Sequence, residues 1–230
     1  MQGILLVDKP VDWTSFDAVN YVRRIVATVG GKKPKNCKVG HSGTLDPFAT
    51  GLLILLIGKE YTRRASEFSK LDKTYEMTMM LGKTSTTGDP EGEISEISDR
   101  VPDQSEIEAA LQKFRGEISQ IPPAYSAIKI DGVRAYKLAR EGKEVVIEAR
   151  PVTIRRLELR SYDYPIVTLV ADVSSGTYIR TLVEDLGRTL ETGAYTTQLR
   201  RTSVGVSSVK NSYDPKSLNT ENLQQVIIDM

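Results

Sequence analysis

The sequence predicts an α+β fold: a mixed, mostly antiparallel sheet with helices packed on it. Three stretches carry that prediction. Residues 74–81 alternate, with Tyr75, Met77, Met79 and Leu81 on one side and Thr74, Glu76, Thr78 and Met80 on the other, the period of a half-buried strand. Ile179, Leu182, Val183, Leu186 and Leu190 fall on one helical face. Residues 52–57 (LLILLI) form an unbroken apolar run between Gly51 and Gly58, as expected of a strand covered on both faces. With 230 residues, 40% hydrophobic and 27% charged, the chain has the composition of a folded globular protein and reads as a single domain, 1–230.

The remaining elements follow in order. GILLVDKP opens as a short buried strand stopped by Pro10. A helix begins at Thr14 or Ser15 as N-cap and stops at Gly30-Gly31, with Phe16, Val19, Ile25, Val26 and Val29 near one face. Lys32 to Lys38 is a loop, and the glycine-bounded polar stretch 40–51 leads straight into the apolar run. Ser85 to Asp103 reads as an exposed loop or short hairpin. Ser105 and Glu108 form a capping-box pattern before a helix carrying Ile107, Leu111 and Phe114 and ending at Gly116. Two prolines then force an extended segment, and Asp131-Gly132 supplies a hairpin turn. Val145–Ile147, Val152–Leu159 and Ile166–Val173 read as strands, Gly176-Thr177 as a strand-to-helix junction, and Thr202–Val206 as a last strand before a short closing segment, Leu223–Ile228.

Composition excludes several classes. Cys37 is the only cysteine and His41 the only histidine, so an intramolecular disulfide and a Cys/His zinc site of the usual ligand count are ruled out. The start lacks a signal-peptide pattern, and no apolar stretch approaches the roughly 20 residues needed to span a bilayer, so a soluble, cytoplasmic protein is expected. Net charge is only +1, but cations cluster at Arg23-Arg24, at Lys32, Lys33, Lys35 and Lys38, at Arg63-Arg64, at Arg155-Arg156 and at Arg200-Arg201. Each cluster is either a solvated face or a set of phosphate contacts.

The segment GHSGTLDPFATG is the first chemical candidate. On spacing alone it favours a tight loop in which Asp46 makes an Asx-type turn before Pro47. The other reading has the glycines admitting a ligand closely while Asp46, held at the mouth of the core, acts as nucleophile or base. Tyr75 fits core packing by its pattern alone. Arg180 has Glu184 four residues on as a surface partner, and a solitary histidine such as His41 is more often structural than catalytic.

The run GHSGTLDPFATGLL resembles the central motif of the TruB family of tRNA pseudouridine synthases. GILLVDKPVDWTS, KTYEMTMMLGKTSTTGDPEG, PPAYSAIKIDGVRAYKLAREG, SSGTYIRTLVEDLG and TTQLRRTSVG agree with it in order and spacing, so the resemblance spans residues 3 to about 206. It implies the pseudouridine-synthase fold and isomerisation of uridine at position 55 in the T-loop of tRNA. Asp46 would attack the nucleotide and enable C1′–N1 cleavage, after which the uracil turns over and rejoins through C5. Attack at C1′, attack at C6 and a glycal route stay open. Tyr75 would stack on the flipped base and remove the C5 proton, Arg180 would pair with the nucleophile, His41 would wedge into the RNA as the base leaves, and Tyr178 and Leu199 would surround that base. Lys9, Lys129 and Arg134 would have structural or phosphate-binding roles.

No cofactor or metal is expected, consistent with the lack of a phosphate-binding or dinucleotide fingerprint. The expected partner is the T-arm of tRNA, with no membrane, no obligate protein partner and a monomeric state. Asp12 stands where the family usually has glycine, Phe48 replaces a smaller or aliphatic residue, and the C-terminal PUA domain common in the family is expected to be absent. The alternatives are a tRNA-folding module without catalysis and a guide-RNA-dependent dyskerin-like enzyme. A glycosidase is disfavoured because only one carboxylate is identifiable where two are usual.

Overall fold

The computed structural model describes residues 1–126, 128–130, 132–143 and 145–228. In chain order the elements are β1 (Gly3–Lys9), α1 (Ser15–Val29), β2 (Val39–Ser42), β3 (Thr50–Ile57), α2 (Lys59–Arg63), α3 (Ala65–Ser69), β4 (Lys73–Leu81), β5 (Lys83–Ser85), β6 (Ile94–Glu96), α4 (Gln104–Lys113), β7 (Gly116–Gln120), β8 (Lys129–Ile130), β9 (Val133–Arg134), α5 (Ala135–Arg140), β10 (Arg150–Asp163), β11 (Ile166–Val173), α6 (Ile179–Thr189), β12 (Ala194–Val204) and β13 (Ser207–Ser208). They form two compact units, Met1–Tyr75 with Leu199–Met230, and Glu76–Gln198.

In the first unit β3 is central. β1 pairs antiparallel along one edge, from Gly3↔Ile57 to Lys9↔Gly51. The other edge is shared: β2 pairs antiparallel with Ile54–Ile57, and β12 runs parallel beside Thr50 and Gly51. This parallel pair makes the sheet mixed. Gly51 has φ 103°, and a Cβ there would come within 2.3 Å of the Arg201 backbone oxygen, so only glycine permits the approach. The 52–57 run is buried on both faces as predicted. Ile4, Leu6, Leu52, Ile54 and Leu56 pack with Tyr61, Phe68 and Val204. β2 was not anticipated, since Val-Gly-His-Ser has no strand pattern; pairing with β3 makes it a strand.

Helix α1 starts at Thr14, whose hydroxyl accepts from the Asp17 amide (3.1 Å) while the Asp17 carboxylate accepts from the Thr14 amide (2.8 Å). Its buried face differs from the expected one. Ser15, Ala18, Val19, Val22, Val26 and Ala27 are buried, whereas Phe16 and Val29 are exposed. Small residues let the helix lie close, and the Phe16 ring instead carries the Arg23 guanidinium 5.4 Å away.

The second unit contains the strand order β4-β11-β10-β7, with β10 antiparallel to both β11 and β7. β4 buries Tyr75, Met77, Met79 and Leu81 as the alternation requires, and all five apolar positions predicted on α6 are buried. β5 and β6 form a short hairpin that begins at Lys83, two residues before the loop or hairpin expected over 85–103. Asp131 of the expected Asp131-Gly132 turn lies outside the described residues. Residues 145–147 are not a strand: Val146 is 78% exposed and β10 begins only at Arg150, where β7 supplies a partner. The last strand starts eight residues earlier than predicted, at Ala194, and ends at Val204, with Gly205 and the fully exposed Val206 forming the turn to β13.

The cap of α4 is also shifted. Asp103 rather than Ser105 is the N-cap, accepting from the Glu106 amide (2.9 Å) while Glu106 accepts from the Asp103 amide (2.8 Å). Ser105 lies inside the first turn and donates to Asp103. Asp103→Ala is therefore expected to lower the unfolding free energy by about 1 kcal/mol, and Ser105→Ala by clearly less, in urea denaturation. Equal losses would contradict the assignment of the cap.

Candidate active site

Asp46 lies in the loop between β2 and β3, and its neighbours on both sides are fixed to β1 and the start of α1. The Ser15 hydroxyl accepts from the Leu45 amide (2.8 Å) and donates to the Leu45 carbonyl (3.0 Å). The Pro47 carbonyl accepts from the Asp12 amide (2.9 Å) and the Lys9 ammonium (3.2 Å), and the Asp46 carbonyl accepts from Ala49 (3.1 Å). The backbone at Asp46 is thus clamped before and after the carboxylate, which is half-buried. Asp12 holds its part of the clamp at φ 64°, a left-handed conformation that glycine adopts without steric cost.

Three cations that sequence patterning did not mark as interior sit beneath this loop. Lys9 is fully buried and also donates to the Pro10 (2.9 Å) and Trp13 (2.5 Å) carbonyls. Arg201 is 1% exposed and donates to the Leu52 (2.7 Å) and Gly43 (3.0 Å) carbonyls. Lys73 is buried and donates to the Ser69 (2.8 Å) and Leu71 (2.5 Å) carbonyls. Gly43, at φ 75°, allows the turn that brings its carbonyl to Arg201.

Burial pushes Lys9 down to about 8, against the opposing pull of Asp46 and then Asp12, with Arg201 adding to the depression. Burial, then Arg201, lowers Lys73 to about 8, and Asp72 opposes. For a depressed lysine the unfolded chain binds more protons between the two pKa values. The cost of charging it is therefore complete below about pH 8 and is relieved as pH rises toward 10.5. In a 13Cε-lysine NMR titration two resonances are expected to have midpoints near 8, and Lys9→Met should remove one; midpoints all near 10.5 would contradict this.

The other predicted site residues of the first unit are His41 on β2, opposite Leu55 and half-buried, with Tyr75 on β4 and Leu199 on β12, both buried. Tyr178 and Arg180 belong to the second unit, at the start of α6. The Arg180 guanidinium donates to the Thr87 and Tyr125 carbonyls (2.8 Å each) and lies 3.3 Å from Asp89. Asp89 thus stands as a buried carboxylate beside it, and both side chains of this pair are 5% exposed. Asp89 also accepts from the Thr87 hydroxyl (2.5 Å) and the Glu91 amide (3.0 Å). Burial raises the Glu184 pKa, with Arg180 opposing. Tyr178 is held by its backbone: the Gln120 side chain accepts from its N–H (2.8 Å) and donates to its carbonyl (3.0 Å). Ser15, Asp89 and Gln120 stand within or beside the motif segments, but their partners are distant in sequence.

Arg200-Arg201 does not act as a phosphate-contacting pair. Arg201 is interior, and Arg200 makes a bidentate pair with Asp8 (3.0 and 2.7 Å). Arg64 and Arg156 are likewise paired, with Glu67 and Asp172. Lys129 and Arg134 are exposed and face each other across the β8–β9 hairpin. Among the described residues no group of three or more His, Cys, Asp or Glu could hold a metal ion, and no helix is long and apolar enough to cross a membrane.

The mixed sheet and its flanking helices define the pseudouridine-synthase fold class. The chain is similar to a chain of a Cbf5–Nop10–Gar1 complex, with a TM-score of 0.68 and 25% identity over 97% of this chain and 54% of that one. The profile described as TruB family pseudouridylate synthase (N terminal domain) matches residues 31–179, and the chain belongs to that family. It is 49% identical over 205 residues to a tRNA pseudouridine synthase B of Pseudomonas fluorescens (strain Pf0-1), covering 89% of this chain and 64% of the relative. It is 46% identical over 212 residues to one of Burkholderia mallei (strain NCTC 10247), covering 92% and 67%. The chain thus spans about two thirds of the length of these relatives.

Proposed function

We propose that this chain isomerises uridine to pseudouridine at position 55 in the T-loop of tRNA, with Asp46 as the nucleophile. The observation that carries the reading is the clamp on the Asp46 backbone, from Ser15 on one side and from Asp12 and Lys9 on the other. A nucleophile fixed before substrate arrives needs little reorganisation during reaction. Family membership and the names of the relatives point the same way. Tyr75 offers an aromatic face and a phenol, suited to stacking on a flipped base and removing the C5 proton. Arg180 supplies a fixed positive charge, while His41, Tyr178 and Leu199 bind the extruded nucleotide. Residues 1–230 act as one catalytic domain, cytoplasmic and monomeric, needing neither cofactor nor protein partner.

The test uses a tRNA transcript tritiated at uridine C5. Tritium release by the purified protein, with pseudouridine mapped to position 55, is the expected result. Tight binding without release would favour a folding module, and release only with an added guide RNA would favour the dyskerin-like reading.

A further inference from the structure

From Ala18 to Leu45 the chain contains no carboxylate, yet it carries Arg23, Arg24, Lys32, Lys33, Lys35 and Lys38. Taking these six cations from a total of +1 leaves −5 for all other residues, so the stretch is a local exception in the charge distribution. It folds around a groove of about 390 Å³ between α1, the 34–38 segment, β2 and Thr62 of α2. Arg23, Lys35 and Lys38 supply its charge, and the β2 residues Val39 and Gly40 part of its wall.

None of the six cations has an ion-pair partner among the described residues. The Arg23 guanidinium is aimed by neutral groups alone, Asn20 Oδ1 (2.8 Å) and the Val39 carbonyl (3.0 Å), so it is fixed without being neutralised. Lys32, Lys33, Lys35 and Lys38 are exposed. Elsewhere on the surface, Arg64, Lys83, Arg100, Arg156 and Arg188 each face a carboxylate. An uncompensated basic groove with a backbone wall suits a chain of phosphates. It suits a protein partner poorly, because such interfaces are centred on apolar and aromatic anchors.

The groove leads toward the chemistry. β2 passes from Val39 and Gly40 to His41, and the loop carrying Asp46 follows. At about 3.3 Å per residue, Lys38 stands about 10 Å along the chain from His41. We propose that this groove binds backbone phosphates of the RNA strand within a few nucleotides of the base being modified. The inference rests on the functional reading above and adds to it the surface that supplies the salt-dependent part of tRNA affinity.

The test compares wild type with K33Q/K35Q/K38Q in the tritium-release assay and in tRNA binding between about 50 and 200 mM salt. Each lost phosphate contact removes about 0.7–0.9 from the slope of log affinity against log salt, so the triple variant should flatten it by about 2–3. Affinity at low salt should fall about tenfold or more, while the rate at saturating tRNA stays within about twofold. A T-arm hairpin should lose as much affinity as full-length tRNA. An unchanged slope, or an equal loss per charge in K113Q/K210Q, would overturn the proposal, as would a loss confined to full-length tRNA. If the triple variant melts early, K35Q alone should still lower the slope by about one. Failure of the wild type to release tritium would instead count against the functional reading.

Discussion

Asp46→Asn is expected to lower tritium release by on the order of 10⁴-fold or more while leaving tRNA affinity within about twofold. Asparagine keeps the size of the side chain, and the loop is held through backbone groups of Leu45, Asp46 and Pro47, so those bonds persist and the loop keeps its shape. What is lost is the charged oxygen that serves as nucleophile in the proposed reaction. Single-turnover rates and filter binding on the same protein separate the two effects. A residual rate within tenfold of wild type would remove Asp46 from the chemistry, and a parallel loss of binding would make it a structural residue.

The second large effect is expected at Arg201. Arg201→Leu leaves the Leu52 and Gly43 carbonyls without these donors, at about 1–3 kcal/mol each, so unfolding free energy should fall by about 2–6 kcal/mol. That is a large fraction of a typical total of about 5–15 kcal/mol. Because Arg201 depresses both Lys9 and Lys73, their midpoints should move upward from about 8 in the variant. A denaturation midpoint equal to wild type would show that Arg201 does not anchor this loop.

The elements legible in the sequence are those whose burial follows their own periodicity. β4 and α6 bury the alternating and helical faces that their residues spell out, and the 52–57 run behaves as its composition requires. Misreadings arose where a partner decides the outcome. Phe16 looks like a core residue, but an arginine about two turns further along the same helical face gives its ring a place on the surface. Asp103-x-x-Glu106 and Ser105-x-x-Glu108 are overlapping capping boxes, and only the fold shows that the earlier one is used. β2 has no strand pattern of its own because the free edge of β3 creates it.

The candidate site divides the same way. Its motif residues can be read along the chain, and the resemblance assigns them roles. The groups that hold the loop cannot be read, since a lysine or arginine becomes interior only when distant carbonyls converge on it. Sequence charge clusters therefore overstated the surface at Arg200-Arg201 and gave no special weight to residues 32–38, whose cations have no ion-pair partner among the described residues.

The Arg201 anchor also sets a timetable for synthesis. The guanidinium that braces the turn at Gly43 is translated 158 residues after it, and 149 after Leu52. At about 5–20 residues per second, a ribosome leaves the turn at Gly43 without this brace for about 8–30 s. In that interval residues 76–198, a compact unit of their own, become available to fold. A nascent chain cut short before Arg201 would already carry the Ser15, Asp12 and Lys9 contacts around Asp46 but would lack the brace at Gly43 and Leu52, so the loop is fully anchored only after translation has passed that codon.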